Sequence, residues 1–340
     1  MSKKNSSVNL KDIFKSHEEL SRIYFIFKRK LNSLKKKVFL IAVSGGPDSL
    51  ALTALAKYYS NENKCKIYYV LIDHNLRKNS SNEAKSVKKL LKKHQINLSI
   101  LKNTKKIKKN IQSEAREIRY NLLATFCKKK KIKTIVTAHN LEDQVETFFI
   151  RLSRGSGLQG LSSMKQINKI NGNIDLFRPL LDFKKVQLIK TSKAIFGKFY
   201  KDPTNKNKKY LRTRIRNLKK SLERSGINYD QVFKSIKNLA SSRDTLDLYF
   251  KKIYKDTVNR KKDRVLISLK TLNSLNEEMQ MRVFEKSIKD FTNTYYAPRS
   301  KKILYLIEQI LKKKNAKLTL GGCIVTMEKK HIILKKEIKN

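Results

Sequence analysis

The chain has 340 residues, with 79 Lys and Arg against 28 Asp and Glu, a formal charge of +51 at pH 7. A field of that size favours a polyanionic partner, most simply nucleic acid, although Lys, Asn and Ile are abundant throughout and inflate it. From the isolated Cys65, Cys127 and Cys323 and five scattered histidines neither a disulfide scaffold nor a structural zinc site follows. With no apolar leader and no long apolar segment, the expectation is a cytoplasmic protein without membrane attachment.

Residues 1–36 read as a polar extension with a helix around Leu20–Leu31. Val38–Val43 is an apolar run too short for a helix, and it stops at Ser44-Gly45-Gly46-Pro47-Asp48-Ser49. Helical spacing resumes with Leu50, Ala51, Ala54, Leu55 and Tyr58, so the pattern is a buried parallel strand, a tight turn and a helix. Gly45 and Gly46 let backbone amides approach an anion at the positive end of that helix. The bland alternative is an ordinary turn capped by Asp48 or Ser49.

A second strand, Lys66–Asp73, ends in Asp73-His74-Asn75-Leu76-Arg77, at the carboxyl end where open α/β sheets bind ligands. A helix over Ala84–His94 and a strand over Leu98–Leu101 follow. The lysine-dense Lys102–Lys109 reads equally as a solvated loop or an RNA contact. In the helix Ile111–Phe126 an apolar stripe leaves Arg116, Arg119 and Tyr120 on another face. The strand Thr134–Ala138 ends at His139, and the helix Leu141–Leu152 carries Asp143 and Glu146 on a common side. Five of the ten glycines fall in Ser44–Ser49 or Arg151–Gly160, which concentrates backbone freedom around one cleft. Phe177–Leu181 reads as a fifth strand, Lys184–Phe196 as a closing helix, and Asp202-Pro203-Thr204-Asn205 as a turn and segment boundary.

Beyond it, Tyr210–Leu222 is basic, with Arg212, Arg214 and Arg216, and Tyr229–Tyr254 is helical. A strand at Val265–Leu269, helices at Glu277–Phe291 and Arg299–Lys313, and a hairpin over Lys317–Leu334 turning at Gly321-Gly322 complete the chain. The expected fold is α/β: a Rossmann-like parallel sheet with helices on both faces over 37–205, a basic helical segment over 206–256, and a small α+β domain over 257–340.

No Walker A loop, dinucleotide fingerprint or nucleophile elbow occurs. The S-G-G-x-D-S hexapeptide at Ser44–Ser49 resembles the loop of the pyrophosphate-loop ATPases, which cleave ATP between its α and β phosphates. Five further segments sharpen the resemblance: Asp73–Arg77, Glu114–Tyr120, Thr137–Thr147, Arg151–Leu161 and Arg178–Leu181. With Asp202–Asn205 and Arg212–Asn217 they occur in the order found in bacterial tRNA(Ile)-lysidine synthases. The Leu320–Cys323 turn is similar to that family's carboxyl-terminal end.

The resemblance implies a ligase that uses ATP and Mg²⁺ to adenylate C2 of the wobble cytidine in a CAU-anticodon isoleucine tRNA. Free L-lysine then displaces AMP to give lysidine. It further implies that Ser44, Gly45, Gly46, Pro47, Asp48 and Ser49 hold the pyrophosphate, with Asp48 at the metal. Arg116, His139, Asp143 and Glu146 join Asp48 as catalytic candidates, the two helix carboxylates for the lysine ammonium or the metal. Asp73, His74, Arg151, Arg154, Arg178, Arg212 and Arg214 become substrate-binding candidates. Asn140 departs from a second histidine common in the family, and the carboxyl-terminal region is short. The alternatives are a 2-thiolation enzyme of the same loop class and a non-catalytic RNA-binding protein, and a homodimer is among the open oligomeric states.

Overall fold

Alternation along the first two strands builds the core. Phe39, Ile41 and Val43 of β1 (Val38–Val43) and Tyr69 and Leu71 of β2 (Lys66–Asp73) pack on one face of a sheet. Leu40 and Val70 pack on the other, as the two-residue period of a strand requires. The structure, a computed structural model, describes residues 10–77, 79–105, 111–170, 173–200, 207, 209–294, 298–312 and 316–337. β3 (Leu98–Lys102), β4 (Thr134–Val136), β5 (Ile167–Ile170) and β6 (Ile174–Phe177) complete a six-stranded sheet of order β3-β2-β1-β4-β6-β5. Helices Glu18–Asn32, Pro47–Asn63, Ser80–Lys93 and Lys185–Phe196 supply the buried residues of the first face, and Ile111–Lys129 those of the second.

The expected parallel, doubly covered sheet is present, with one addition. β5 runs antiparallel to β6, pairing Ile167 with Phe177 and Ile170 with Ile174. Three of its four residues are exposed, so no apolar alternation marks it in the sequence. The fifth strand expected at Phe177–Leu181 lies earlier, at Ile174–Phe177. Pro179, two residues on, has no N–H for a ladder, and the chain turns away. The fourth strand likewise stops at Val136 rather than Ala138. A short helix, Leu10–Ser16, precedes the expected one and seats Phe14 on the Tyr58 ring, centroids 4.9 Å apart. The expected turn at Asp202–Asn205, and residues 106–109 of the lysine-dense connection, lie outside the described residues.

The chain forms two compact units, 1–240 and 241–340, the division falling inside the helix Tyr229–Thr257. In the second unit β7 (Val258–Arg260), β8 (Arg264–Ser268), β9 (Leu318–Leu320), β10 (Cys323–Glu328) and β11 (His331–Lys336) form an antiparallel sheet of order β7-β8-β11-β10-β9. The single hairpin expected over Lys317–Leu334 is therefore three strands. Gly321 and Gly322, both at positive φ, make the first turn, and Lys329-Lys330 make the second. Helices Glu277–Thr292 and Ser300–Lys312 close the core of this unit through Val283, Phe284, Ile288, Ile303 and Ile310. Among the described residues no helix is long and apolar enough to cross a membrane.

Candidate active site

The carboxyl ends of β1, β2 and β4 present the loop Ser44–Ser49, the Asp73-His74 pair and the segment Thr137–Asn140. Gly45 sits at φ +80°, and a Cβ there would lie 2.5 Å from Cγ2 of Val87, so only glycine fits. Gly46 is the N-cap of the helix Pro47–Asn63, and Pro47 takes the position where a missing N–H is harmless. Ser49 Oγ draws the loop shut: it accepts from Ser44 N at 3.1 Å and Ser44 Oγ at 3.0 Å, and donates to Gly46 O at 3.0 Å. Tyr200 N donates to Gly45 O at 3.0 Å. The result is a braced turn at a helix N-terminus, the arrangement that binds a phosphate.

Asp48 does not cap this helix; no side-chain cap bond forms. Its Oδ1 is buried without a hydrogen-bond partner, and its Oδ2 stands 3.9 Å from Nζ of Lys185. Burial pushes the carboxyl up to about 6, with Asp143 and Glu142 adding to the rise and Lys185 and the Asn140 side chain pulling against it. A buried carboxylate oxygen without a donor suits a cation. Among the described residues no group of three His, Cys, Asp or Glu side chains forms a metal cage. Asp48 therefore fits Mg²⁺, which is commonly held by one or two carboxylates together with substrate phosphates and water.

The second half of the site is the start of the helix Leu141–Leu152. Asn140 and Asp143 form a reciprocal cap: Asp143 N donates to Asn140 Oδ1 at 3.0 Å, and Asn140 N to Asp143 Oδ2 at 3.1 Å. Asn140 is thus an N-cap, a task suited to its short amide side chain. Thr137 Oγ1 and His139 Nδ1 share a hydrogen bond of 2.9 Å. Burial drives the His139 imidazole down to about 3; Asp143 opposes this, while Arg178, Arg116 and Arg212 reinforce it. These five side chains therefore share one electrostatic environment, and the ring in it is neutral at neutral pH.

Glu146, expected to meet an ammonium or a metal, is already paired. Arg216 donates Nε and Nη2 to its two oxygens at 2.7 and 2.9 Å, and Arg212 Nε adds a 3.4 Å ion pair. Burial raises the Glu146 pKa while Arg216 and Arg212 hold it down. Arg216 belongs to the basic segment Tyr210–Leu222 but is not among the site candidates that the sequence offers. Arg212 and Arg216 lie four apart on one face of the helix Leu211–Asn217, whereas Arg214 is exposed, so the helical period was the available signal.

The other candidates lie in varied surroundings. Asp73 is buried and accepts from Asn75 N at 3.0 Å and Ser81 Oγ at 2.6 Å. Burial opposes its ionisation, yet these bonds keep its pKa below the ordinary value. His74 Nε2 accepts from Arg119 Nε at 3.4 Å, and burial with the Arg119 charge lowers its pKa to about 4. Arg116 lies over the Tyr120 ring, 5.1 Å from its centroid. Arg151 Nη1 ties the glycine-rich segment by donating to Gly160 O at 2.7 Å and Ser163 O at 3.0 Å. Arg178 is buried and donates to Lys165 O at 2.8 Å, while Arg154 is exposed.

The PP-loop domain family matches residues 20–222. A tRNA(Ile)-lysidine synthase of Wolbachia pipientis wMel is 35% identical over 302 residues, covering 87% of this chain and 70% of that protein. Another, from Orientia tsutsugamushi (strain Boryong), is 33% identical over 314 residues, covering 87% and 69%. Among solved structures, the U34-tRNA thiolase NcsA from Methanococcus maripaludis shares the fold: TM-score 0.56 and 15% identity, over 66% of this chain and 79% of that one.

Proposed function

We propose a function from one premise: the chain belongs to the PP-loop family and, within it, to the tRNA(Ile)-lysidine synthases. It uses ATP to adenylate the wobble cytidine of a CAU-anticodon isoleucine tRNA and joins free L-lysine to C2 of that base. The C2 oxygen attacks the α-phosphorus, and the bond from that phosphorus to the bridging oxygen breaks, its electron pair leaving with pyrophosphate. The lysine ε-amine then adds to C2, gives up a proton, and AMP departs with the C2–O bond.

The observation that carries this reading is the braced Gly45-Gly46 turn with the orphaned oxygen of Asp48 beside it. Amides of this turn take the charge that develops on pyrophosphate, where preorganised donors count most. Asp48 would hold Mg²⁺, which would supply neutralising charge at the phosphates. Asp143, fixed by Asn140, is the carboxylate that accepts the lysine ammonium, because both oxygens of Glu146 are engaged by Arg216. His139, held neutral and bonded to Thr137, orients this edge of the site. Arg116, Arg178 and Arg212 add positive charge for the RNA and ATP phosphates. In this reading residues 37–205 are the ATP-using domain, 206–256 a basic helical segment and 257–340 a small α+β domain, working in the cytoplasm. The cysteines give 2-thiolation no support: Cys127 and Cys323 lie in apolar cores, and Cys65 precedes β2 at the sheet edge opposite the loop.

With α-labelled ATP, AMP forms only when both lysine and the CAU-anticodon tRNA are present. AMP without RNA, or dependence on ammonia or a sulfur donor, would reassign the enzyme. Asp48→Ala abolishes turnover and leaves tRNA binding intact.

A further inference from the structure

Lys185 opens the helix Lys185–Phe196, and its backbone is fixed by the site itself: its N–H donates to Glu142 Oε2 at 2.8 Å. Its ammonium is held far more loosely, 3.9 Å from Asp48 Oδ2, beyond hydrogen-bonding distance, on a side chain 35% exposed. The neighbouring Lys184 turns elsewhere, to Asp230 at 2.6 Å. No acidic residue sits in the first turn of this helix, and its N-terminal amide meets the Glu142 carboxylate instead. A cation is thus anchored at its root and weakly engaged at its tip. It stands at the mouth of a phosphate-binding turn.

We propose that Lys185 is a pyrophosphate-binding residue of this site. Its ammonium leaves Asp48 for the β- and γ-phosphates and neutralises pyrophosphate as the bond from the α-phosphorus to the bridging oxygen breaks. The same movement releases Asp48 Oδ2, so one lysine covers the loop carboxylate before ATP arrives and the leaving group afterwards. This inference rests on the reading of the loop as an ATP site, and deepens it by naming which part of ATP the residue recognises.

Calorimetry on the full chain tests it with three probes: inorganic pyrophosphate, an α,β-methylene analogue of ATP, and AMP. Lys185→Met weakens pyrophosphate and the analogue by about tenfold or more, the worth of a charge-assisted contact, and leaves AMP and tRNA affinity unchanged. Lys185→Arg restores most of the loss. Equal pyrophosphate affinity in wild type and Lys185→Met overturns the assignment and leaves the lysidine reading standing. A parallel loss of AMP affinity overturns it too, since Lys185 would then shape the whole site. A wild-type protein that binds neither pyrophosphate nor the analogue removes the ATP site itself.

Discussion

Arg216 grips both oxygens of Glu146, at 2.7 and 2.9 Å, across 70 residues of sequence. The carboxylate is almost wholly buried, with 3% of its side-chain surface exposed, and the guanidinium is one-third exposed at 32%. Two parallel charge-assisted bonds of this kind join the helix Leu211–Asn217 to the helix Leu141–Leu152, on which Asp143 sits.

Removing one partner should cost far more than removing both. Arg216→Met leaves a buried charge with only the longer Arg212 contact, and we expect a loss of about 2–3 kcal/mol, below the full cost for a deep pair because water and Arg212 remain. Adding Glu146→Gln to Arg216→Met should recover more than half of it. Urea unfolding of the two variants checks the order. Equal stability of Arg216→Met and wild type would show that the pair does not brace the site.

Gly45→Ala meets two obstacles, a backbone at φ +80° and a methyl group 2.5 Å from Val87 Cγ2. The positive φ alone costs roughly 1 kcal/mol or more. Pyrophosphate affinity should fall by at least about tenfold as the turn shifts. Adding Val87→Ala should restore melting temperature in part, since it removes the clash, without restoring pyrophosphate binding, since the strained φ remains. Recovery of binding in the double variant would mean that sterics alone set the glycine.

The Asp48 carboxyl has a folded-state pKa of about 6 against an ordinary 3.8. The folded protein therefore holds the extra proton more tightly than the unfolded chain. Its stabilising effect is complete below pH 4 and is lost as pH rises through 6. Asp48→Asn cannot ionise, so its stability relative to wild type should climb between pH 4 and 6 and stay level above. The change amounts to at most about 3 kcal/mol. Ligand-free melting curves across that range measure it, and a difference independent of pH would show that Asp48 is not desolvated.

Local pattern carried much of this protein into view. The short continuous apolar run of Val38–Val43, the glycine pair behind it and the 3.6-residue period of Leu141–Leu152 each state their structure within a few residues, and both elements appear at the expected bounds. The strand Ile167–Ile170 was not legible, because an edge strand exposed on most of its length needs no apolar code. The site divides in the same way. Gly45 and Asp48 lie in one hexapeptide, where backbone chemistry points to the glycine and the resemblance to the pyrophosphate-loop ATPases points to Asp48.

The partners of these residues are another matter. Glu146 meets Arg216 and Arg212, Asp73 accepts from Asn75 and Ser81, and Lys185 comes to Asp48 from 137 positions away. Charge at a helix start is compatible with a cap, an ion pair or a ligand, and the local chain does not distinguish them. Sequence by itself determined the turn, the sheet and the helix that carries the carboxylates, because those depend on neighbours a few bonds away. Only the tertiary structure decided which carboxylate is paired by arginine and which cation stands at the loop, because that choice depends on which distant side chains arrive within 3 to 4 Å.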